Sequence, residues 1–505
     1  MTLARTWSVG LTGLVGQLVA VEADLSAGLP GTAVIGMPDQ AIVQSRDRIR
    51  AAIVNSGFKW PDRRITLGLS PAALRKNGAG YDIALAIAVL AAAGTLPGSA
   101  AGSTVLIGEL GLDGATRPVR GVLPALLAAR AAGRNQAIVP LGNLSEAALA
   151  TGMTVWGAPT LADLVARLTG ENHGMVKGVA PETSPPADVP DLADVLGQPE
   201  ARLALEIAAA GGHHLAMLGP PGAGKTMLAA RLPGILPPLD DEEALEVTAV
   251  HSVAGLLDEK TPLITRPPFI DPHHSATQAA IIGGGSGQIR PGSVSLAHHG
   301  VLFLDEAPEF ERRALDALRQ PLEEGAVLLA RAVGVVRFPA RFQLVLAANP
   351  CPCAAASDAD CRCGSVQRRN YLNKLSGPLM DRIDIRIDLP ALPPSILTAA
   401  AGQGESSAVV AQRVVLARKR AAHRWRDTPW RCTAAVPGSV VRRMWSPGEP
   451  EAQLLERAVR SGRLTGRGFD RVLRLSLTVA DLAGRDVPST ADVAAALALR
   501  CGESL

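Results

Sequence analysis

The stretch Gly219-Pro220-Pro221-Gly222-Ala223-Gly224-Lys225-Thr226 constrains this chain more than any other. Its spacing is G-x-x-x-x-G-K-T. Glycines at those positions let the backbone turn so tightly that successive N–H groups face inward, toward phosphate oxygens. A helix starting near Lys225 adds the positive end of its dipole. In such a loop the lysine reaches the β- and γ-phosphates of a nucleotide, and the Thr226 hydroxyl is placed to ligate Mg²⁺. The flanks agree. Leu215–Leu218 is a short apolar run that reads as a buried strand, and Met227–Leu232 continues as a helix.

A second element supports the first. Val301-Leu-Phe-Leu is an apolar strand ending in Asp305 and Glu306. Asp305 is expected to hold the Mg²⁺ shell and Glu306 to polarise the attacking water. Downstream of a phosphate loop, an adjacent Asp-Glu pair points to an ATPase, and within ATPases to the AAA+ class. Phe342–Ala348 is another strand, leading to Asn349. A polar residue ending that strand resembles the first sensor of AAA+ proteins, which helps place the water.

A length of 505 residues suits two to four domains, and 47% apolar residues are ample for large cores. Net charge is only +3, so any nucleic-acid binding must come from local patches. The sequence has no uncharged apolar span long enough for a membrane helix, and its start lacks the pattern of a signal peptide. The expectation is a cytoplasmic protein without a membrane partner. Four of the six cysteines fall in Cys351-x-Cys353 and Cys361-x-Cys363. Four thiols around one small loop suit tetrahedral Zn²⁺, and disulfides are disfavoured in the cytoplasm. Asp358 and Asp360 make that loop acidic but are weaker zinc ligands.

Four segments are expected. Residues 1–170 read as an α/β domain, with strands at Thr32–Ile35, Arg64–Leu69, Ala137–Pro140 and Met153–Trp156. Helices are expected over Asp39–Ser56 and Tyr81–Ala93. The charges Arg46, Asp47, Arg48 and Arg50 mark either a solvated helix face or a DNA contact. Residues 171–191 are a proline-rich linker. Residues 192–390 form the nucleotide-binding α/β domain with a parallel sheet, and 391–505 an α-helical lid.

Gly108-Glu109 to Gly121 and the Leu126–Ala129 that follows resemble the proteolytic domain of Lon-type proteases, a ribosomal-S5-like α/β fold. The serine slot falls near Ala79 and the lysine slot within Leu123-Pro-Ala125. Neither holds the required residue, so a scaffold or DNA-contacting role is expected rather than proteolysis. From Gln198 onward the motifs run unbroken: Gly219–Thr226, Asp271-Pro-His-His-Ser-Ala-Thr277, Gly300–Glu306, Leu318-Arg-Gln-Pro-Leu-Glu323, Ala348-Asn-Pro-Cys-Pro-Cys353 and Leu375–Asp384. Together with the N-terminal domain they resemble the ComM/YifB family of magnesium-chelatase-like AAA+ ATPases. Ser293 departs from the usual Glu, and Ala354 from the usual Gly.

The resemblance implies a homohexameric ring that uses ATP and Mg²⁺ to move DNA, as in branch migration during natural transformation. It implies that Arg382 reaches the neighbouring subunit's γ-phosphate, a task that suits a permanently charged, bidentate guanidinium. A local ion pair with Asp381 or Asp384 is the alternative, and Arg368 and Arg369 are further candidates. Arg467 resembles the lid's phosphate sensor, with Arg474 seven residues on and Arg471 one turn away as a competitor. Two inserts, Ile281–Arg290 and the hairpin Val327–Phe338, line the pore in related helicases, so Arg290, Arg331 and Arg337 are candidate DNA contacts. The pairs His273-His274 and His298-His299 read as structural rather than metal-binding. The competing reading is a chelatase-type motor acting on a protein partner.

Overall fold

The computed structural model describes residues 3–74, 76, 78–97, 101–171, 174–180, 189–285, 289–331, 334–355, 360–391 and 404–503. Residues 172–173 and 181–188 of the linker, residues 286–288 of the glycine-rich insert, Asp358 and the side chain of Arg331 lie outside the described residues. The fold is α/β with a helical C-terminal region, as expected.

In the N-terminal sheet, β1 (Leu3–Thr12) and β2 (Val15–Ser26) form a long antiparallel hairpin. β3 (Gly31–Ile35) pairs in parallel with β4 (Arg64–Ser70), which runs antiparallel to β2. β5 (Thr104–Leu106) lies beside β1. A separate ribbon consists of β6 (Glu109–Leu110) and β7 (Thr116–Arg117). β8 (Gln136–Pro140), β9 (Thr154–Ala158) and β10 (Val176–Lys177) complete the sheet, in the spatial order β10-β9-β8-β5-β1-β2-β4-β3. The sequence does not announce the long hairpin. The buried face of β1 is Ala4, Thr6, Ser8 and Gly10, small residues rather than a run of large apolar ones. The helix Asp82–Ala92 packs so close that a Cβ on Gly10 would meet the Tyr81 hydroxyl at 2.8 Å. Thr6 donates to the Ala84 carbonyl at 2.9 Å.

The helix Gln40–Asn55 is capped by Asp39, which accepts from the Ile42 N–H at 2.9 Å. Its arginines do not share one role. Arg46 pairs with Asp47 in solvent, whereas Arg48 turns inward to the fully buried Asp82 at 2.9 Å. An all-basic outer face therefore does not form.

The second sheet has five strands, all parallel. These are β11 (Leu215–Leu218), β12 (Phe269–Ile270), β15 (Val301–Leu304), β18 (Gln343–Ala348) and β19 (Ile385–Asp388). Between them come two antiparallel pairs, β13 (Gly283–Gly284) with β14 (Arg290–Pro291), and β16 (Ala326–Arg331) with β17 (Gly334–Pro339). The spatial order is β12-β15-β18-β11-β19. Every residue of β15 and β18 is buried, as helices covering both faces of a parallel sheet require. The C-terminal helices Ser407–Arg424, Glu449–Arg460, Gly466–Leu482 and Thr490–Cys501 share a core with this sheet, built on Trp425, Leu473 and Leu477.

The helix Asp241–Ala254 joins the two sheets. Its N-terminus carries a capping box of Asp240 and Glu243. Ala249 packs with Val122 and Leu126. The buried Glu146 accepts from the Leu123 N–H at 2.8 Å and from the Ser252 hydroxyl. Leu11 and Leu14, at the turn of the first hairpin, pack against the cluster holding Val336 and Phe338. Glu146→Ala leaves the Leu123 N–H and the Ser252 hydroxyl without their acceptor, and is expected to cost about 2–4 kcal/mol. Ser252→Ala is expected to cost about 1 kcal/mol. Urea unfolding of both variants checks this, and an unchanged Glu146→Ala refutes the fastening role.

Candidate active site

β11 delivers the chain into the phosphate loop. Gly222 (φ 79°) and Gly224 (φ 90°) are left-handed, and the helix Lys225–Ile235 starts directly after them. A Cβ on Gly219 would meet the Leu389 carbonyl oxygen at 2.6 Å, whereas one on Gly222 or Gly224 would meet nothing within 4 Å. The loop is thus tight underneath and borders open space above. Pro220, Pro221 and Ala223 fill its remaining positions.

Lys225 is buried, and its ammonium donates to Gly219 O at 2.6 Å, Pro220 O at 2.9 Å and Asn349 Oδ1 at 3.0 Å. Burial lowers its pKa, against the pull of Asp305 and Glu306. The Thr226 hydroxyl donates to Asp305 Oδ2 at 2.6 Å. The ends of β11, β15 and β18 therefore meet at one point, which brings together Lys225, Thr226, Asp305 and Asn349. The donor set fits Mg²⁺ and a polyphosphate. Thr226 and Asp305 supply adjacent hard oxygens, and the Lys225 hydrogens rest on uncharged oxygens that a phosphate oxygen outcompetes.

Two members of the site were not foreseen. The Gln198 amide donates to Ala223 O at 3.3 Å and Pro390 O at 3.0 Å, tying the loop to the exit of β19. His274 Nδ1 stands 3.3 Å from Oε2 of Glu306. The signal for His274 was its place just after β12, the strand beside β15. Glu306 itself is left-handed at φ 48°, and its N–H donates to Asp305 Oδ1 at 2.8 Å.

Arg382 and Arg471 lie at the opposite end of the strands, by the start of β19. Asp384 bonds its N–H to His214 O at 3.1 Å, next to the start of β11, so it sits about four residues of strand, ~13 Å, from the phosphate-loop end. Arg382 is two residues earlier. Its guanidinium is nearly buried, donates to Pro378 O at 2.6 Å and pairs with Glu323, not with Asp381 or Asp384. Arg471 pairs with the buried Asp384. Burial disfavours the charge on Asp384, but Arg471 and His213 hold its carboxyl well below the usual range. Arg474 is pushed down by burial and its Nε has no partner among the described residues. Arg467 is exposed in the first turn of its helix. The structure brings none of these lid arginines to the phosphate loop of its own chain.

The four thiols converge. Cys351 Sγ lies 3.2 Å from Cys353 and 3.4 Å from Cys361, and all four sulfurs, Cys363 included, lie within 4.8 Å of one another. Ala354 adopts φ 49°, which explains why glycine is the easier residue there. Arg290 and Arg337 are exposed, on β14 and β17. Glu246, His298 and His299 also cluster. There, however, Nδ1 of His298 accepts the Arg341 N–H at 3.1 Å, so Nε2 carries the proton and donates to Glu246 at 2.9 Å. That tautomer leaves His298 no lone pair for a metal, in line with the structural reading.

The parallel sheet, its phosphate loop, and the Asp-Glu and Asn ends of β15 and β18 define a P-loop protein of the AAA+ class. Family models for the magnesium chelatase subunit ChlI match residues 21–143 and 191–397, and one for its C-terminal part matches 404–500. An uncharacterized protein of Mycobacterium tuberculosis is 54% identical over 99% of both chains. Competence protein ComM of Haemophilus influenzae is 40% identical over 99% of this chain and 98% of that one. The uncharacterized YifB of Escherichia coli is 41% identical over 96% and 95%. The chain belongs to the ComM/YifB family of magnesium-chelatase-like AAA+ proteins. No helix among the described residues is long and apolar enough to cross a membrane.

Burial holds His298 down to about 4, and the His298 hydrogen bond holds Glu246 down to about 2. Both depressed values mean stability that is present at neutral pH and lost on acidification. For His298 the loss starts below about 6.5 and is complete near 4. Between pH 7 and pH 5 the wild type is expected to lose about 2 kcal/mol that His298→Gln, which cannot gain a proton, does not. Urea unfolding at the two pH values measures the difference, and equal losses refute the assignment.

Proposed function

We propose that this protein is an ATPase that works as a homohexameric ring and drives movement along DNA, promoting branch migration or unwinding in recombination or natural transformation. The observation that carries the reading is the meeting of Lys225, Thr226, Asp305 and Asn349 at the ends of three neighbouring strands. ATP supplies the phosphoanhydride, and Mg²⁺ neutralises charge on its phosphates. The loop amides and Lys225 bind the β- and γ-phosphates. Thr226 and Asp305 hold the cation. Glu306 takes the proton of the attacking water, and Asn349, fixed by Lys225, orients that water. Arg382 sits by the opposite end of the strands, which suits completion of a neighbour's site. Arg467, exposed on the lid, is available for a similar contact. The proposal for DNA rests on exposed Arg290 and Arg337, with Arg331 beside them in sequence, and on similarity to a protein named for competence. Glu306→Gln is expected to bind ATP without hydrolysing it.

The sharper test is mixing. Arg382→Ala and Lys225→Ala subunits are each inactive alone, and Arg382→Ala hydrolyses ATP about 10³-fold more slowly while still binding it. A mixed ring regains turnover wherever an intact loop meets an intact arginine. Full turnover by Arg382→Ala alone overturns its role. Single-stranded and branched DNA are expected to raise wild-type turnover. Turnover indifferent to DNA favours a chelatase-type motor acting on a protein, a reading the ChlI family models keep in view.

The proposal for metal is one Zn²⁺ held by Cys351, Cys353, Cys361 and Cys363. Four thiols this close suit a single soft-ligand cation. Elemental analysis of freshly purified protein is expected to give about one zinc per chain, lost in Cys351→Ser/Cys363→Ser. Metal-free wild-type protein refutes it.

A further inference from the structure

The chain leaves the hydrolytic site through a stiff run. β18 ends at Ala348, and the buried Asn349 accepts from the Lys225 ammonium at 3.0 Å. The sequence from there is Asn349-Pro350-Cys351-Pro352-Cys353. Each proline fixes its own φ and keeps the residue before it, Asn349 or Cys351, away from helical backbone. Only Pro350 separates Asn349 from the buried Cys351. A shift of the Cys351 sulfur is therefore passed on to Asn349.

The other end of the cysteine loop returns to the same site. Cys363 is followed by the helix Ser365–Leu372, whose buried residue is Tyr371. Just past it, Lys374 Nζ lies over the Tyr371 ring and 3.8 Å from Oε2 of Glu309. The Glu309 N–H donates to the Glu306 carbonyl at 2.7 Å, in the turn that follows the Asp-Glu pair. Ordinary packing does little to hold the loop between these ends. Its described residues form no helix or strand, and Cys353 is exposed. The Lys374 and Glu309 side chains are 45% and 39% exposed, so their pair is weak. Neutral thiols also bond one another weakly, although Cys351, Cys353 and Cys361 lie 3.2 to 3.5 Å apart. What the four sulfurs can share strongly is one cation.

We infer that the four-thiol centre is a brace for Asn349. A metal held there fixes Cys351, and through Pro350 it fixes the amide that places the attacking water. The inference rests on the zinc and ATPase readings above. Cys351 and Pro350 are then positioning residues for hydrolysis. The phosphate loop, Thr226 and Asp305 are held from β11 and β15, so ATP binding stands apart from the brace. Metal occupancy thus governs turnover and leaves affinity nearly alone.

The test compares full-length wild type and Asn349→Ala in three states: as purified, stripped with a chelator under reducing conditions and returned to Mg²⁺ buffer, and reloaded with Zn²⁺. Stripping is expected to lower wild-type kcat about ten- to a hundredfold and to move the Kd of a fluorescent ATP analogue less than about threefold. Reloading restores kcat. Asn349→Ala starts slow, and stripping is expected to change it less than about twofold, because both changes remove the same placement. Amide exchange at Asn349, Cys351 and Cys353 is expected to quicken on stripping, with the helix Lys225–Ile235 unchanged. A stripped wild type that keeps its kcat overturns the inference, as does an equal further fall in Asn349→Ala. Protein that holds no metal and takes up no Zn²⁺ overturns the zinc reading and this inference with it. A chain without turnover in any state overturns the ATPase reading instead, and amide exchange at Asn349 still decides the brace.

Discussion

The ammonium of Lys225 is the fixed point of this molecule. A buried cation is tolerated only when its donors are satisfied, and here three oxygens from two separate elements satisfy them. Two come from the loop itself and one from Asn349 at the end of β18. Placing that nitrogen therefore fixes how far β18 extends beside β11. It also fixes where β15, paired with β18, ends in Asp305 and Glu306. Gly219 N–H on Ala348 O, at 3.1 Å, sets the same alignment through the backbone. The glycines are required underneath, where a side chain at 219 would strike the Leu389 carbonyl.

Strand polarity then divides the labour. All five strands are parallel, so every strand ends on the same side as the phosphate loop. Everything that starts a strand lies on the other side, and there the arginines gather: Arg471 on Asp384, Arg500 on the Ile383 carbonyl at 2.6 Å, Arg382 on Glu323. Cations by the starting ends of the strands and a phosphate loop at their finishing ends lie apart within one chain. Stacked head to tail around a ring, copies of such a chain present one edge to the next, and that geometry underlies the oligomer proposed here.

Much of this was legible because short-range chemistry wrote it. The loop spacing, the Asp305-Glu306 pair and Asn349 are local patterns, and each lies where its motif implies. The hairpin β16–β17 was readable from two apolar runs about a glycine turn. What escaped depended on distant chain segments. β1 hides its strand character because the helix Asp82–Ala92 leaves room only for Thr6, Ser8 and Gly10. Arg48 looked like part of a basic face until Asp82, far along the chain, drew it inward. Glu323 as the partner of Arg382, and His274 as the neighbour of Glu306, follow from sheet order, which no local pattern states.

The N-terminal sheet finds a physical role at the same level. Gly13, at the tip of its first hairpin, is left-handed at φ 64°, and a Cβ there would strike Val336 at 2.5 Å. The tip thus presses on β17, the strand that exposes Arg337 on its other face. Glu146 and Ser252 bind the same body to the helix Asp241–Ala254. That helix also carries Glu246, the partner of His298, just ahead of β15. A body attached at these two places backs both the arginine-bearing hairpin and the approach to β15. Such backing needs packed surface alone, consistent with the absence of Ser near Ala79 and of Lys within Leu123–Ala125.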